Sequence, residues 1–338
     1  MRQMGIQMQL MLQDMPKLGW IGIDVGGTKT RFDLFDDTFN VVYSIKIKTK
    51  KDLESFKNSL TTSVRRLLKK TGSELVVAGT GIGFAGVVDA KGIVRSAPNL
   101  SFLKDFSFKK VLTPIGTGRI AVWNDLHAAM YGELKMGAAV GCSDALGIFI
   151  GTGIGGAIVS NGKLHLGATG LAGDIGHYML QPFGPLAGSE RHGVLDEVAS
   201  RSAIAGAAAS LAVKGWAPHL LRDAGTDVQK IKSSHLAAAI DAGDKAVEEL
   251  VRSRARIVGI VLSNLVDFFN PEMVVLGGGL TEAMPKIIRD EVAAGIKEHT
   301  TTQSRRGLRV VAAKLKGHAV TTGAAKLASE VVHETKSS

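Results

Sequence analysis

The chain has 338 residues, too many for one ordinary core and enough to bury two. Hydrophobic residues make up 45%, charged residues 21% and aromatics 5%, with 41 glycines, which excludes a disordered chain and describes an α/β protein rich in tight turns. The one cysteine, Cys142, excludes an internal disulfide or a thiolate metal cluster and fits a reducing cytoplasm, while the formal net charge of +10 admits polyanionic company.

Residues 1–18 carry several Met and Leu interrupted by Gln and Asp, with no small-residue cleavage site, and read as an N-terminal extension rather than a signal peptide. No stretch approaches the roughly 18 uncharged apolar residues of a membrane span, so no membrane partner is expected. Residues 19–49 read as three successive strands, with Gly26-Gly27 at the first turn and Asp36-Asp37 near the second. Leu53, Phe56, Leu60, Val64 and Leu67 recur at helical steps and predict an amphipathic helix over 52–69. LVVAGTGIGFAG returns to strand, RIAVWND (119–125) is another, and LHAAMYGELKMGA has helical composition. A second cycle begins at 145–167, two strand-like runs joined by glycines and followed by an Asn161-Gly162 hairpin turn, and it resembles the first. Helices follow over 194–212 and about 244–269, then strand MVVLGGG, a helix through 296, strand LRVVAAKL and a last helix from about 322. This order divides into a small α/β domain over 19–126, completed by the terminal helix 322–338, and a large α/β domain over 127–321. The basic runs at 46–51, at 65–70 and at Arg305-Arg306 read as solvated faces. No helix-turn-helix, zinc-finger or aromatic-basic RNA signature accompanies them, so no nucleic-acid partner is expected.

Three glycine-rich steps carry chemistry. DVGGTKT sets Gly26 and Gly27 between two strands, with Asp24 before them and Thr28 and Lys29 after; free of Cβ, such a turn can adopt positive φ and present successive N–H groups to an anion. GTGIGG repeats the setting with Gly151, Thr152 and Gly153, and enters a strand where a Rossmann or Walker motif enters a helix. VVLGGGLTEAM runs from strand into helix, and Gly277, Gly278 and Gly279 permit close approach by a base or ribose. Together they point to a polyphosphorylated nucleotide held by two domains.

These stretches, with SAPNL (96–100), NDLHAAMYGE (124–133), the run 148–177 and NPEMVVLGGG (270–279), resemble the ROK family from about residue 19 to 328. That family comprises bacterial sugar kinases and related repressors of the actin-like ATPase (ribonuclease H-like) fold. The resemblance implies two domains of mixed sheet flanked by helices around a central cleft that closes over the sugar, a hinge near Asp125 to Gly137, and a homodimer. It implies ATP and Mg²⁺, with the two hairpins and Asp24 on the phosphates, Gly277–Gly279 on the adenosine, and Asp24 holding Mg²⁺ through water. Asp125 becomes the catalytic base, which orients a sugar hydroxyl and accepts its proton during in-line attack. An Asp there can also cap the next helix, a task Asn124 could share. Asn99 and Asn124 bond sugar hydroxyls, with the Gly86 backbone close to the ring.

The sequence also departs from the family. His177 matches, but Ala187, Ser189 and Val194 stand at the three cysteine positions of the usual zinc loop, so no structural zinc is expected. Glu190, His192 and His177 offer only an unusual alternative ligand set. Asp174 and Asp196 stand where the family has sugar-binding glutamates, each shorter by one methylene, which leaves open the substrate near its 1- and 2-positions. His177 is then free to donate to the sugar. The expected activity is ATP-dependent phosphorylation of a hexose, glucose foremost, at the 6-hydroxyl. The alternatives are an N-acylhexosamine, mannose or fructose kinase, a polyphosphate-dependent glucokinase suggested by the basic runs, or a sugar sensor without catalysis. A repressor requires an added DNA-binding region where only the first 18 residues stand.

Overall fold

The computed structural model describes residues 16–72, 75–184 and 191–334, with side chains through Glu330. Branched and aromatic residues fill β1 (Lys17–Val25), β2 (Lys29–Phe35) and β3 (Val41–Lys48), a composition that suits a pleated, half-buried surface. α1 (Leu53–Leu68) starts at Asp52, whose carboxylate accepts the Ser55 N–H, and its buried Phe56, Leu60, Val64 and Leu67 join Phe32, Leu34 and Ile45 in one core. Then come β4 (Leu75–Phe84), the short pair β5 (Val87–Val88) and β6 (Val94–Ser96), α2 (Phe108–Leu112), β7 (Arg119–Asn124) and α3 (Asp125–Met136). The second half runs β8 (Ala145–Ile150), β9 (Ile154–Ser160), β10 (Lys163–His165), α4 (Leu195–Ala199), α5 (Arg201–Val213), α6 (Pro218–Ala224), α7 (Ser233–Asp241) and α8 (Lys245–Phe269). It continues through β11 (Met273–Gly277), α9 (Gly278–Ala283), α10 (Pro285–His299) and β12 (Arg309–Ala312), and the chain returns to the first half in α11 (Ala319–Glu334).

The two cycles share one topology. The first sheet has the order β3-β2-β1-β4-β7 and the second β10-β9-β8-β11-β12. In each, the leading strand pairs antiparallel with its hairpin partner and parallel with the strand on its other side, and that strand is again parallel to the last. The hairpin turn between β9 and β10 has Asn161 at φ 52° and Gly162 at φ 70°, the left-handed pair that an Asn-Gly turn supplies at low cost.

Among the described residues, those from 16 to 135 together with 318 to 334 form one compact unit, and those between 136 and 317 form the other. The division lies at the end of α3, nine residues after the cut at 126/127 taken from the sequence. The reason is close packing on the first sheet. A Cβ on Gly81 of β4 would lie 1.7 Å from the Ala324 carbonyl of α11, and one on Gly323 would lie 1.7 Å from the Ala128 carbonyl of α3. α3 therefore belongs with α11 and the first sheet. A polar anchor fixes the returning chain as well. Asp33, fully buried on β2, accepts from Ser44 Oγ at 2.5 Å and Thr321 Oγ1 at 2.6 Å, and lies 2.8 Å from His318 Nδ1.

Three further differences from the sequence reading have local causes. The helix expected through 296 is two helices, because Pro285 has no N–H to continue α9 and instead opens α10. α6, α7 and the β5–β6 pair are additional. β1 begins at Lys17, inside the expected extension, and residues 1–15 lie outside the described residues. Among the described residues no helix is long and apolar enough to cross a membrane.

Gly81→Ala or Gly323→Ala should destabilise the first unit by on the order of 3 kcal/mol, since backbone must shift to admit the methyl group. Gly206→Ala, inside α5 with open space around it, should stabilise by about 0.5 kcal/mol. Denaturant melts of the three variants check the contrast.

Candidate active site

In the first unit the turn between β1 and β2 closes with Gly26 N donating to Lys29 O at 3.1 Å. Neither Gly26 nor Gly27 takes a positive φ, so the sequence reading of why they are glycines is corrected. The reason is space: a Cβ on Gly27 would lie 2.7 Å from the Asn99 Cβ, so its absence seats the Asn99 loop directly on the turn. Thr28 and Lys29 are exposed beside it. Two residues from the basic run hold this arrangement. Thr49 Oγ1 donates to Gly26 O at 2.8 Å, and Lys51 Nζ donates to both Gly27 O (2.6 Å) and Asn99 O (3.2 Å). Lys51 belongs to a run expected to be solvated, but its partners are 24 and 48 residues away, so no local pattern marks it.

The next elements bring two carboxylates together. Asp24 lies near the end of β1 and Asp125 opens α3 immediately after β7. Asn124 takes the capping work: its Oδ1 accepts from Leu126 N (2.9 Å) and His127 N (3.2 Å), while its Nδ2 donates to Gly86 O at 3.1 Å. Asp125 Oδ1 shares the Leu126 N–H at 3.0 Å. Burial pushes the Asp125 pKa up to about 6, against the opposing hydrogen bonds from Leu126, its own N–H and Asn124. Burial and then the Asp125 charge push Asp24 up to about 7, and the cations Arg31 and Lys46 only partly offset this. Excess negative charge of this kind suits a divalent cation, which Asp24 would hold together with phosphate oxygens and water.

In the second unit the turn Gly151-Thr152-Gly153 is held by the first turn of α5. Arg201 N donates to Gly151 O (3.0 Å), Ser202 Oγ to Thr152 O (2.8 Å), and the Arg201 guanidinium to Thr152 Oγ1 (3.1 Å) and Ile231 O (3.0 Å). A guanidinium at a glycine turn is apt for phosphate, and sequence spacing did not single it out. Asp196, expected on the sugar, also supports this turn: its Oδ1 accepts Ile154 N at 2.5 Å and would sit 2.8 Å from a Cβ on Gly153. Burial, then Glu197 and Asp174, raise its pKa against the Ile154 hydrogen bond and nearby His177. Asp174 Oδ2 lies 2.8 Å from His177 Nδ1, which leaves the other ring nitrogen for a ligand. Both line a cavity of about 300 Å³ whose apolar wall includes Leu146, Ile148, Ala157 and Ile158. Gly277 precedes α9 and Gly278 does take φ 85°, where a Cβ would lie 2.5 Å from Ile150 O; Gly279 is open. Of the three residues expected at the family's cysteine positions, Val194 is fully buried in the core, while Ala187 and Ser189 lie outside the described residues, as does Glu190 of the alternative ligand set. His192 Nδ1 pairs with Gly184 O at 3.0 Å. Among the described residues no three His, Cys, Asp or Glu side chains gather as metal ligands.

The chain matches the family model of the ROK family over residues 20–331. The chain belongs to the ROK family. It is 31% identical over 314 residues to a glucokinase of Streptomyces coelicolor, covering 92% of this chain and 97% of the relative. An N-acetyl-D-glucosamine kinase of Pasteurella multocida is 30% identical over 281 residues, 79% of this chain and 88% of the relative. The solved structure of a ROK family glucokinase from Streptomyces griseus, in complex with glucose and AMPPNP, superposes with a TM-score of 0.81 at 29% identity, covering 92% of this chain and 99% of that one. The fold is thus that of the actin-like ATPases.

The two raised carboxylates give a stability signature. The native state binds protons more tightly than the unfolded chain between about pH 4 and 7, so the ligand-free protein gains stability as pH falls through that window. Asp125→Asn keeps the acceptor for Leu126 N and removes the charge beside Asp24. It should stabilise the protein by on the order of 1 kcal/mol or more at pH 8, and the gain should shrink steadily and vanish only at about pH 3.5, below the ordinary carboxylate value, where the residue is protonated in both the native and the unfolded chain. Melting curves at the two pH values test this, and identical differences at both would count against it.

Proposed function

We propose that this sugar kinase transfers the γ-phosphoryl group of ATP to the 6-hydroxyl of a hexose, glucose foremost, with Asp125 as general base. The observation that carries the reading is Asp125 itself, a carboxylate at a strand end with its pKa raised to about 6 and its capping duty taken by Asn124. A base of that strength is ionised at neutral pH yet basic enough to accept a proton as the hydroxyl attacks. The hydroxyl oxygen forms its bond to the γ-phosphorus as the bond to the β-bridging oxygen breaks, the proton passes to Asp125, and ADP leaves.

The backbone N–H groups at Gly26–Lys29 and Gly151–Gly153 are assigned to the ATP phosphates, with the Lys51 ammonium and Arg201 guanidinium fixing the two turns. Gly277–Gly279 receive the adenosine. Asp24 is the residue that would hold Mg²⁺, which when bound supplies charge neutralisation for the phosphates. Asn99, Asn124 and the Gly86 backbone in one unit, and Asp174, His177 and Asp196 in the other, are assigned to sugar hydroxyls. Likeness to the two kinases and to the glucose-bound neighbour supports the reading. The apolar cavity beside Asp174 and His177 favours a second substrate, an N-acylhexosamine, whose acyl group needs such a wall.

Sugar-dependent ADP release should appear with purified protein and ATP on at least one of glucose, mannose, fructose, N-acetylglucosamine and N-acetylmannosamine. Silence on all five would sink the proposal. Asp125→Asn should lower kcat by at least 100-fold with sugar binding retained. In the wild type, kcat should rise with pH through about 6 and then level off, as Asp125 loses its proton. Arg201→Gln should raise the KM for ATP about tenfold while leaving the KM for sugar nearly unchanged.

A further inference from the structure

α10 and β12, the edge strand of the second sheet, frame a cavity of about 490 Å³. It lies at the amino end of β12, whereas Gly151–Gly153 and Gly277–Gly279 follow the carboxyl ends of the parallel strands β8 and β11. The cavity is therefore at the opposite end of the sheet from the assigned nucleotide residues of this unit. Its floor is apolar, with Ile296 buried and Ala293, Leu308 and Val310 half-buried.

Its rim is cationic, with Arg289, Lys297, Arg305 and Arg306. The acids nearby are committed elsewhere. Asp290 pairs with Arg289 at 2.8 Å, and Glu291 and Glu298 pair with Arg252 and Arg256. Among the described residues Lys297, Arg305 and Arg306 have no carboxylate partner. The Arg305 guanidinium is pre-set, donating to the Lys297 carbonyl and to Thr302 Oγ1 at 3.4 Å. Three uncompensated cations repel one another, and an anion that bridges them removes that cost. A bare inorganic anion would use only the rim and leave the floor wet. A ligand with a flat apolar body and a phosphate chain uses both, and the volume is that of a small-molecule pocket.

We propose that this cavity is a second nucleotide site, taking a nucleoside di- or triphosphate with its phosphates on Lys297, Arg305 and Arg306 and its base on the floor formed by Ala293, Ile296, Leu308 and Val310. Equilibrium dialysis with ADP in the absence of sugar should find two ADP per wild-type chain and one per Arg305→Glu/Arg306→Glu chain. Arg306→Gln, at an exposed position that cannot upset the core, should weaken the second equivalent about tenfold. Inorganic tripolyphosphate should compete at this site far more weakly than ADP, because it leaves the floor unfilled. One ADP on both wild type and double variant, or tripolyphosphate competing as well as ADP, would overturn the proposal. Failure of the kinase reading gives a different pattern, one ADP on the wild type and none on the double variant.

Discussion

The first unit depends on backbone meeting backbone without side chains in between. Strand β4 carries glycine at alternate positions on one face, and α11 lies so close to it that no larger residue fits opposite Ala324. The same absence of side chains extends toward the chemistry. A Cβ on Gly83 would lie 2.3 Å from Val320 Cγ1 of α11 and 3.3 Å from the Asp125 Cα. Asp125 is thus located by the thickness of a glycine-surfaced sheet, a rigid reference, rather than by a flexible loop. Closely packed interiors transmit small volume changes, so substitutions on this face also displace the carboxylate.

That placement has an electrostatic cost. Asp24 and Asp125 are brought near each other in a half-buried setting, and both hold protons more tightly than a solvated carboxylate. Arg31 and Lys46 on the neighbouring strands limit the repulsion without removing it. Residual repulsion of this kind is relieved by protonation or by a neighbouring cation, never by an anion. The glutamate-to-aspartate shortening at Asp196 reads differently once its partner is visible. A short side chain reaches Ile154 N directly and stiffens the second glycine turn.

Much of this was legible in the order of residues. Alternating hydrophobics and three glycine steps gave the repeated strand-hairpin-strand units, and the Asn-Asp pair at 124–125 stood out at the junction of a strand and a helix, where the structure places it. What stayed hidden was contact across long sequence separations. Lys51 and Arg201 look like ordinary surface cations until the chain brings Gly27 and Thr152 against them. The glycines of the first turn were recognised for a torsional reason, whereas neither has a positive φ and Gly27 is required by crowding from Asn99. Pro285 carried a legible break signal that the helical periodicity after Gly279 obscured.

The return of the chain into its own beginning bears on how the molecule is made. During synthesis from the amino end, the face of the first sheet that carries Trp20 and Phe35 must wait for Ala325 and Ala328 to cover it. The buried Asp33 likewise waits for His318 and Thr321. A ribosome-bound chain that has already completed the intervening unit therefore still displays an apolar sheet face and an acid held by Ser44 alone, the kind of surface that holdase chaperones engage.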